Sequence, residues 1–433
     1  MRPYIAHVPR GRSILVVAQL TPPSRLSGAR RPANLVKYLA RRGHRVTVLT
    51  SLASGRGVMT GAWRLVRTRD VLSSRLNWRS GHFRSIQGRQ QAPASRSSTL
   101  ESIVVPDLAL IGWLPFALPR ALSLASECQF DCVITTSPPQ AAHLIGLALR
   151  RAGLPWIADL RDGWTFDPPR PRWPTGLQDA ADRALERAAL TRADRLVAVT
   201  APIADDLAGR LGLEVATITN GFDPEEAGAN ASPAVGLLTP GHHSLVHTGR
   251  AGVSGRSPRL LIEGLLELRR RWPRAAERLE VVFAGPTTAA ERQLLSDARL
   301  AGMVRSVGTL ERSGALALQR AADSLLVLTE GASGRSVATN KLFEYLAARR
   351  PVLVLGEDSV AARIVGETGG GIVADGDDPE TIAAALRVLV EDNIQPASVD
   401  LERFAWPVLV QRFEREVETL LADVPSTTRV RRP

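Results

Sequence analysis

Short runs of apolar, mostly β-branched residues alternate with longer amphipathic stretches along most of the chain. This alternation is typical of parallel βαβ units, in which helices cover both faces of a buried sheet. The first half of the chain shows apolar runs at 13–18, 45–50, 131–136, 156–159, 195–200 and 215–219. The pattern therefore predicts one doubly wound domain over residues 1–225.

The alternation restarts after an Ala-, Gly- and Pro-rich stretch, 226–240, that is typical of an interdomain linker. The apolar runs that follow lie at 244–248, 279–284, 304–307, 324–328, 351–355 and 371–373. They predict a second Rossmann-like domain over 241–398. The last stretch, 399–425, places Phe404, Trp406, Val410 and Phe413 at helical spacing, so we expect a helix that packs back on the first domain.

One segment breaks this pattern. Residues 51–100 show no clean strand and carry nine Arg against one Asp. We interpret the segment as a basic insertion in the first domain, of a length that usually carries function or lacks order.

Composition places the protein among soluble globular chains. Its 433 residues are 44% hydrophobic and 23% charged, which excludes a small disulfide-stapled domain and a coiled coil. The longest apolar stretch, 108–118, is interrupted by Pro115 and is far below the roughly 20 residues that span a bilayer. Cys128 and Cys132 lack the spacing of a zinc site. Together with the absence of a visible secretory signal, they predict a cytoplasmic protein with free thiols.

Charge is distributed unevenly along the chain. The net charge is +12, but the first 125 residues hold 20 Lys and Arg against three acidic residues, a local net of +17. Such a surface attracts polyanions: nucleic acid, anionic lipid or phosphorylated substrates. No recognition-helix, zinc-finger or aromatic-platform signature accompanies the charge, so we expect no nucleic-acid partner. The expected polyanions are an anionic membrane face or a phosphorylated acceptor.

Two segments of the second domain have the residues of a diphosphate site. Gly249 and Arg250 follow an apolar run, and Arg256 follows six residues later. Glycine lets backbone amides approach an anion, and guanidinium groups suit a diphosphate. A flexible basic surface loop is the alternative.

The second segment starts a predicted helix with Asn340 and Lys341. A helix N-terminus offers free amides and partial positive charge to a phosphate, and Lys341 adds a full charge. Glu344, one turn later, has the chemistry to accept hydrogen bonds from a ribose diol. The alternative is an ordinary i,i+3 ion pair between Lys341 and Glu344.

Taken in order, five segments resemble the GT-B glycosyltransferases of family 4, over residues 13–421. They are Pro22–Arg31, Thr136–Pro139, Ala158–Trp164, Asn220–Asp223 and Lys341–Ala347. The resemblance implies a GT-B fold with two Rossmann-like domains facing a cleft. It also implies transfer of a sugar from a nucleotide-diphosphate donor, bound by the second domain, to an acceptor hydroxyl held by the first. Retention of the anomeric configuration and no required cofactor or metal are implied as well.

The resemblance also assigns donor-site residues. Arg250 matches the first member of the family's basic pair for the diphosphate; the second falls on Gly255, with Arg256 as a neighbouring replacement. The amides of Gly28 and its neighbours are expected to help stabilise the leaving diphosphate. Of the family's paired glutamates, one falls on Glu344 as the ribose ligand and the other on Ser336. That departure leaves the donor sugar unassigned.

The acceptor-side candidates lie at or just after the end of the apolar run at 156–159. Many family members have a histidine after the strand that corresponds to 156–159, whereas this chain offers Asp159, Arg161 and Asp162. We expect Asp162 to be the polar group nearest the acceptor; a local ion pair of either Asp with Arg161 is the alternative. His143 is a further catalytic candidate, although its apolar neighbours also fit a histidine packed on a helix face.

The motif Asp375-Gly376-Asp377 imitates a metal-binding motif of other glycosyltransferases. Because Asp378-Pro379 follows as a typical helix start, we predict a helix cap and no metal. Two other classes of function remain open on the sequence alone: a GT-B-type nucleotide-sugar epimerase or hydrolase, and a non-catalytic GT-B-like or nucleic-acid-binding protein. The shortage of histidine near the expected sugar site disfavours the epimerase.

Overall fold

The computed structural model describes residues 11–24, 26–55, 61–72, 103–166, 173–228, 236–250, 258–300, 302–329, 336, 338–392, 394–397 and 399–423. The strands of the first domain are β1 Ser13–Val17, β2 Arg45–Ser51, β3 Trp63–Thr68, β4 Cys132–Ser137, β5 Trp156–Leu160, β6 Arg195–Ala198 and β7 Val215–Thr217. Those of the second are β8 His243–Thr248, β9 Leu279–Ala284, β10 Val304–Ser306, β11 Ser324–Leu328, β12 Val352–Leu355 and β13 Gly371–Ala374.

The helices of the first half are α1 Arg30–Arg41, α2 Ala109–Gly112, α3 Leu114–Glu127, α4 Ala141–Arg151, α5 Gly176–Leu190, α6 Ala201–Leu211 and α7 Pro224–Gly228. Those of the second half are α8 Arg259–Arg271, α9 Pro273–Glu277, α10 Ala289–Leu295, α11 Arg312–Ala321, α12 Asn340–Ala347, α13 Val360–Thr368, α14 Pro379–Glu391 and α15 Trp406–Asp423. No helix of the described ranges is both long enough and apolar enough to cross a bilayer.

Two parallel sheets form the two domains. The first has the order β3-β2-β1-β4-β5-β6-β7, and the second has the order β10-β9-β8-β11-β12-β13. Central strands such as β1, β4 and β5 are buried along their whole length, which explains their largely apolar sequences. The prediction of two doubly wound α/β domains is confirmed.

Helices cover both faces of each sheet and complete the cores. On the first sheet, α3, α4 and α6 pack on one face, while α1 and α15 pack on the other. On the second sheet, α8 and α14 oppose α11, α12 and α13.

The structure corrects the sequence prediction for residues 51–100. Trp63–Thr68 forms the edge strand β3, which pairs with β2 from Val46 to Ser51. The strand lies at an edge of the sheet and is only partly buried. Arg64 and Arg67 therefore interrupt its apolar residues, and it lacks the apolar run of a central strand. Residues 56–60 and 73–100 of the predicted insertion lie outside the described residues.

The chain crosses between the domains twice, and the two crossings pair with each other. Phe222 donates its amide to the Phe404 carbonyl (3.1 Å), and Trp406 donates to the Phe222 carbonyl (3.0 Å). A Cβ on Gly221 would lie 2.1 Å from the Phe404 oxygen, so only glycine allows this approach. The stretch predicted as a linker begins with part of α7, which follows this crossing directly.

The final helix, α15, returns to the first domain as predicted. Trp406, Val410 and Phe413 are fully buried with residues of α1. Glu414 lies 2.8 Å from His44, and Glu418 pairs with Arg12 at 2.5 Å, so charged contacts accompany the apolar face.

A buried ion pair lies at the centre of the first domain. Arg31 Nη2 and Asp159 Oδ1 are 2.7 Å apart, with side-chain exposures of 1% and 0%. The same guanidinium donates to the carbonyls of Ile218 and Thr219, at 2.8 Å each, and lies 5.3 Å from the centre of the Phe413 ring. Thr136 Oγ1 donates to Asp159 Oδ2 at 2.7 Å. One residue of α1 thereby joins β5, the end of β7 and α15.

We expect Arg31→Gln to lower the free energy of unfolding by about 3–5 kcal/mol, because Asp159 would remain buried without its counter-charge. Urea unfolding followed by circular dichroism measures the change. Arg183→Gln is the matched control: it removes an exposed i,i+4 pair with Asp179 and should cost about 0.5 kcal/mol or less. Equal losses in the two variants would contradict the central role of the Arg31 pair.

Candidate functional site

The candidate site lies where the carboxyl ends of the two sheets meet. In doubly wound sheets, ligands bind there, at the position where the strand order reverses. That position is between β1 and β4 in the first sheet and between β8 and β11 in the second. Across the domains, Thr200 Oγ1 donates to the Ser336 carbonyl (2.6 Å), and Asn220 Nδ2 donates to the Ala338 carbonyl (3.0 Å). The first domain thus holds the backbone that leads into α12.

Lys341, in the first turn of α12, is directed at the end of β8. Its Nζ lies 3.0 Å from His247 Nε2 and 3.4 Å from the Arg250 carbonyl. His247 Nε2 also lies 3.0 Å from the Arg250 carbonyl oxygen, and its Nδ1 lies 2.9 Å from the Leu326 carbonyl oxygen. The histidine on β8 thereby orients the lysine at this strand end.

Gly249 makes the close approach at this strand end. Its φ of +86° is in the region that favours glycine, and a Cβ there would lie 3.5 Å from Lys341 Nζ. Its carbonyl oxygen would lie 2.1 Å from a Cβ on Gly285, the residue after β9. Two glycines therefore allow the loops after β8 and β9 to come together beside Lys341.

The remaining residues of the predicted donor site lie around this point. Asn340 is the first residue of α12, and its N-cap, Thr339, makes no side-chain capping hydrogen bond to the helix. The Arg250 carbonyl is near Lys341, while Arg256 lies outside the described residues. The structure thus brings Gly249, Arg250, Asn340 and Lys341 together.

Glu344 lies one turn after Lys341 and pairs with an arginine that the sequence analysis did not single out. Arg312 Nη1 is 2.8 Å from Glu344 Oε2, and the glutamate side chain is only 13% exposed. Glu344 therefore forms its ion pair with α11, the helix beside α12.

Arg161 holds the loops at the carboxyl end of the first sheet. Its guanidinium donates to the carbonyls of Ser137, Pro138 and Gly28. Burial lowers the pKa of Arg161 to about 10, against the opposing effect of Asp162 and Asp159. All three contacts are to backbone carbonyls, so we assign Arg161 a structural role. The Gly28 carbonyl, likewise, is used to fix the loop before α1.

Asp159 also takes a structural position, which corrects its candidacy as a catalytic group. One of its oxygens accepts from Arg31 alone and the other from both Arg31 and Thr136, and the residue is fully buried. The local pair with Arg161 is therefore replaced by a pair with a residue of α1. Asp162, 9% exposed and two residues beyond β5, stays the predicted acceptor-side group.

His143 lies in the core of the first domain. It is fully buried, its Nδ1 lies 2.8 Å from Thr135 Oγ1, and its ring stacks on Trp164 at 6.0 Å. Burial lowers the pKa of His143 to about 3, although Asp159 acts in the opposite direction. A neutral histidine enclosed by two tryptophans fits packing, so we withdraw it as a catalytic candidate.

The motif 375–377 does not gather ligands. Asp375 Oδ1 accepts from the Asp377 amide (2.9 Å), and Asp378 caps α14 by accepting from Glu380 and Thr381 amides. Within the described ranges, no group of three or more His, Cys, Asp or Glu residues could hold a metal ion.

Three residues that matter here were missed or given no role by the sequence analysis: Arg31, His247 and Arg312. Arg31 lies inside one of the five segments that resemble the family, so the sequence did contain a signal for its importance. His247 and Arg312 had no such signal, because their partners are 94 and 32 residues away along the chain.

Comparison with known families matches both domains. The family model described as Glycosyltransferase Family 4 matches residues 28–226, and the model described as Glycosyl transferases group 1 matches residues 242–392. No protein among the curated sequences matches this chain.

Solved structures show the same fold at low sequence identity. A glycosyltransferase from Rickettsia africae is 12% identical, with a TM-score of 0.59, covering 96% of this chain and 100% of that one. A UDP-forming trehalose-phosphate synthase from Burkholderia xenovorans, in complex with glucose-6-phosphate, is 15% identical, with a TM-score of 0.63 and coverages of 94% and 100%. The E. coli trehalose-6-phosphate protein bound to UDP-2-fluoro glucose is 15% identical, with a TM-score of 0.60 and coverages of 95% and 100%.

The depressed pKa of His143 predicts a specific pH dependence. Between about pH 6.5 and the folded pKa of about 3, the unfolded chain takes up a proton at this histidine and the folded protein does not. Stability is therefore lost as pH falls, by about 1.4 kcal/mol per pH unit. We expect His143→Phe to have a shallower decline than the wild type in urea unfolding at pH 7, 6 and 5. Parallel declines would instead indicate a solvated histidine available for chemistry.

Proposed function

The chain belongs to family 4 of the GT-B glycosyltransferases, and we propose that it transfers a sugar from a nucleoside-diphosphate sugar to a hydroxyl group with retention of configuration. The second domain holds the donor and the first holds the acceptor. The observation that carries this proposal is the convergence of Lys341, the start of α12 and the Gly249–Arg250 backbone at the end of β8.

The donor's diphosphate binds at this convergence. Lys341 supplies a full positive charge, and the first-turn amides of α12 supply hydrogen-bond donors that Thr339 does not cap through its side chain. Arg250 and Arg256 follow β8 in sequence and supply further positive charge. Glu344, one turn along α12, accepts from the ribose hydroxyls.

The chemical step also depends on Lys341 and His247. The bond between the sugar's anomeric carbon and the phosphate oxygen breaks, and the diphosphate leaves with the electron pair. Lys341 stabilises that charge more in the transition state than in the bound donor, because the charge grows as the bond breaks. His247 keeps the lysine in place, and so reduces the reorganisation that the step requires.

Retention requires the acceptor hydroxyl to approach from the face that the diphosphate leaves. The acceptor oxygen forms the new bond to the anomeric carbon, and its proton passes to the departing diphosphate oxygen on that face. We propose Asp162 as the side chain nearest the acceptor. Its neighbour Arg161 donates to three backbone carbonyls and so holds this loop in place. The acceptor is a glycolipid, a polysaccharide or a small glycoside.

We further propose that the first domain rests against an anionic membrane on the cytoplasmic side. Its support is the local net charge of +17 in the first 125 residues, together with two free cysteines, Cys128 and Cys132. A lipid-linked acceptor would then be presented to the domain that binds it.

A thermal-shift screen against UDP, GDP, TDP and their sugars tests the donor site. We expect at least one nucleotide to stabilise the wild type, and Lys341→Ala or Glu344→Ala to abolish that shift. Arg299→Ala and Glu263→Ala are charge-matched controls, because both residues form exposed ion pairs in the same domain. Stabilisation of the wild type by none of the nucleotides would overturn the donor-site assignment.

Liposome flotation tests the membrane contact. We expect recovery with vesicles containing anionic lipid, little recovery with neutral vesicles, and a loss on adding salt. Replacing Arg84, Arg89 and Arg96 by Gln should reduce recovery more than replacing Arg259, Arg270 and Arg299, three exposed arginines of the second domain. Equal recovery on anionic and neutral vesicles would remove this part of the proposal.

A further inference from the structure

An alternating chain of four charged residues runs from the first domain to α12. Arg30 of α1 lies 3.0 Å from Glu226 of α7. Glu226 lies 2.7 Å from Arg312, the first residue of α11, and Arg312 lies 2.8 Å from Glu344 of α12. Arg312 is therefore shared between a carboxylate beside the domain crossing and the carboxylate proposed for the ribose.

The contacts of Arg312 are directional. Nη1 faces Glu344, while Nε and Nη2 both donate to Glu226 Oε2, at 3.2 and 2.7 Å. A guanidinium is planar, so holding one edge against Glu226 fixes where the other edge can meet Glu344. Burial alone lowers the pKa of Arg312, but the charges of Glu344 and Glu226 outweigh it and raise the pKa above its usual value.

Glu344 needs such a partner for geometric reasons. A glutamate side chain has several rotatable bonds, and ordering them when a ligand binds lowers affinity. At 13% exposure, Glu344 also has little water to compensate its charge. Lys341, one turn before it, contacts His247 and the Arg250 carbonyl, whereas the ion pair of Glu344 is with Arg312.

We propose that Arg312 is a positioning residue that fixes the Glu344 carboxylate for the ribose diol, and that Glu226 in turn orients Arg312. This inference rests on the proposed function, in which Glu344 binds the ribose. Through Glu226 and Arg30, the same contacts connect the ribose site to α1 of the first domain. The affinity gained from the ribose hydroxyls therefore depends on a residue that touches no part of the donor.

Isothermal titration calorimetry with UDP and with 2′,3′-dideoxy-UDP tests the inference. If GDP gives the larger thermal shift, GDP and its dideoxy form are used instead. The measured quantity is the ratio of the two dissociation constants, which isolates the ribose hydroxyls. We expect a ratio of about tenfold for the wild type, corresponding to one hydrogen bond to a charged group.

For Arg312→Gln we expect the ratio to fall to about one to two, with affinity for the dideoxy nucleotide unchanged, because the diphosphate contacts remain. Arg312→Lys should recover part of the ratio, and Glu226→Gln should give an intermediate value. Arg320→Gln is the matched control, since Arg320 lies on the same helix and lines the same narrow cleft as Arg312 and Glu344. It should retain the wild-type ratio.

A wild-type ratio retained in Arg312→Gln would overturn the inference and leave the proposed function standing. Loss of affinity for both nucleotides to the same degree would also overturn it, because Arg312 would then act on the diphosphate or on the fold. Thermal unfolding without ligand separates those two causes, and Arg312→Lys provides a readout if the Gln variant does not fold. A wild-type ratio near one would overturn the ribose role of Glu344 itself, and with it the need for Arg312.

Discussion

The buried pair of Arg31 and Asp159 is the constraint on which the rest of the first domain depends. Neither charge reaches solvent, so each must be satisfied by fixed partners. Arg31 meets this requirement with Asp159 and the carbonyls of Ile218 and Thr219, while Phe413 packs against its guanidinium. Arg31 therefore constrains helix α1, strand β5, the end of β7 and helix α15 relative to one another.

The position of α1 in turn places contacts on both sides of the candidate site. Once α1 is fixed, the Gly28 carbonyl before it accepts from Arg161, and this contact fixes the loop after β4 as well. Arg30, next to Arg31 in sequence, faces the other way and contacts Glu226 beside the domain crossing. Two consecutive arginines thus have separate tasks, one inside the first domain and one between the domains.

The two domains are joined by backbone as much as by side chains. The paired crossings at Phe222 and Ala405 bring Asn220 to the Ala338 carbonyl, immediately before α12. Lys341 and Glu344 are thus held in position by residues of the domain proposed to bind the acceptor.

The sequence by itself determined the fold class, the positions of nearly all the strands along the chain and the return of α15, because periodicity and composition are local properties. It also singled out Gly249, Lys341 and Glu344 as donor-site candidates, because their residue types have the chemistry that a diphosphate and a ribose require. It missed β3, where an edge position removes the continuous apolar signal. Only the tertiary structure decided which charges meet: Asp159 with Arg31, and Glu344 with Arg312. The partner of a buried charge is chosen by packing across 128 residues in one case, and no local pattern encodes that choice.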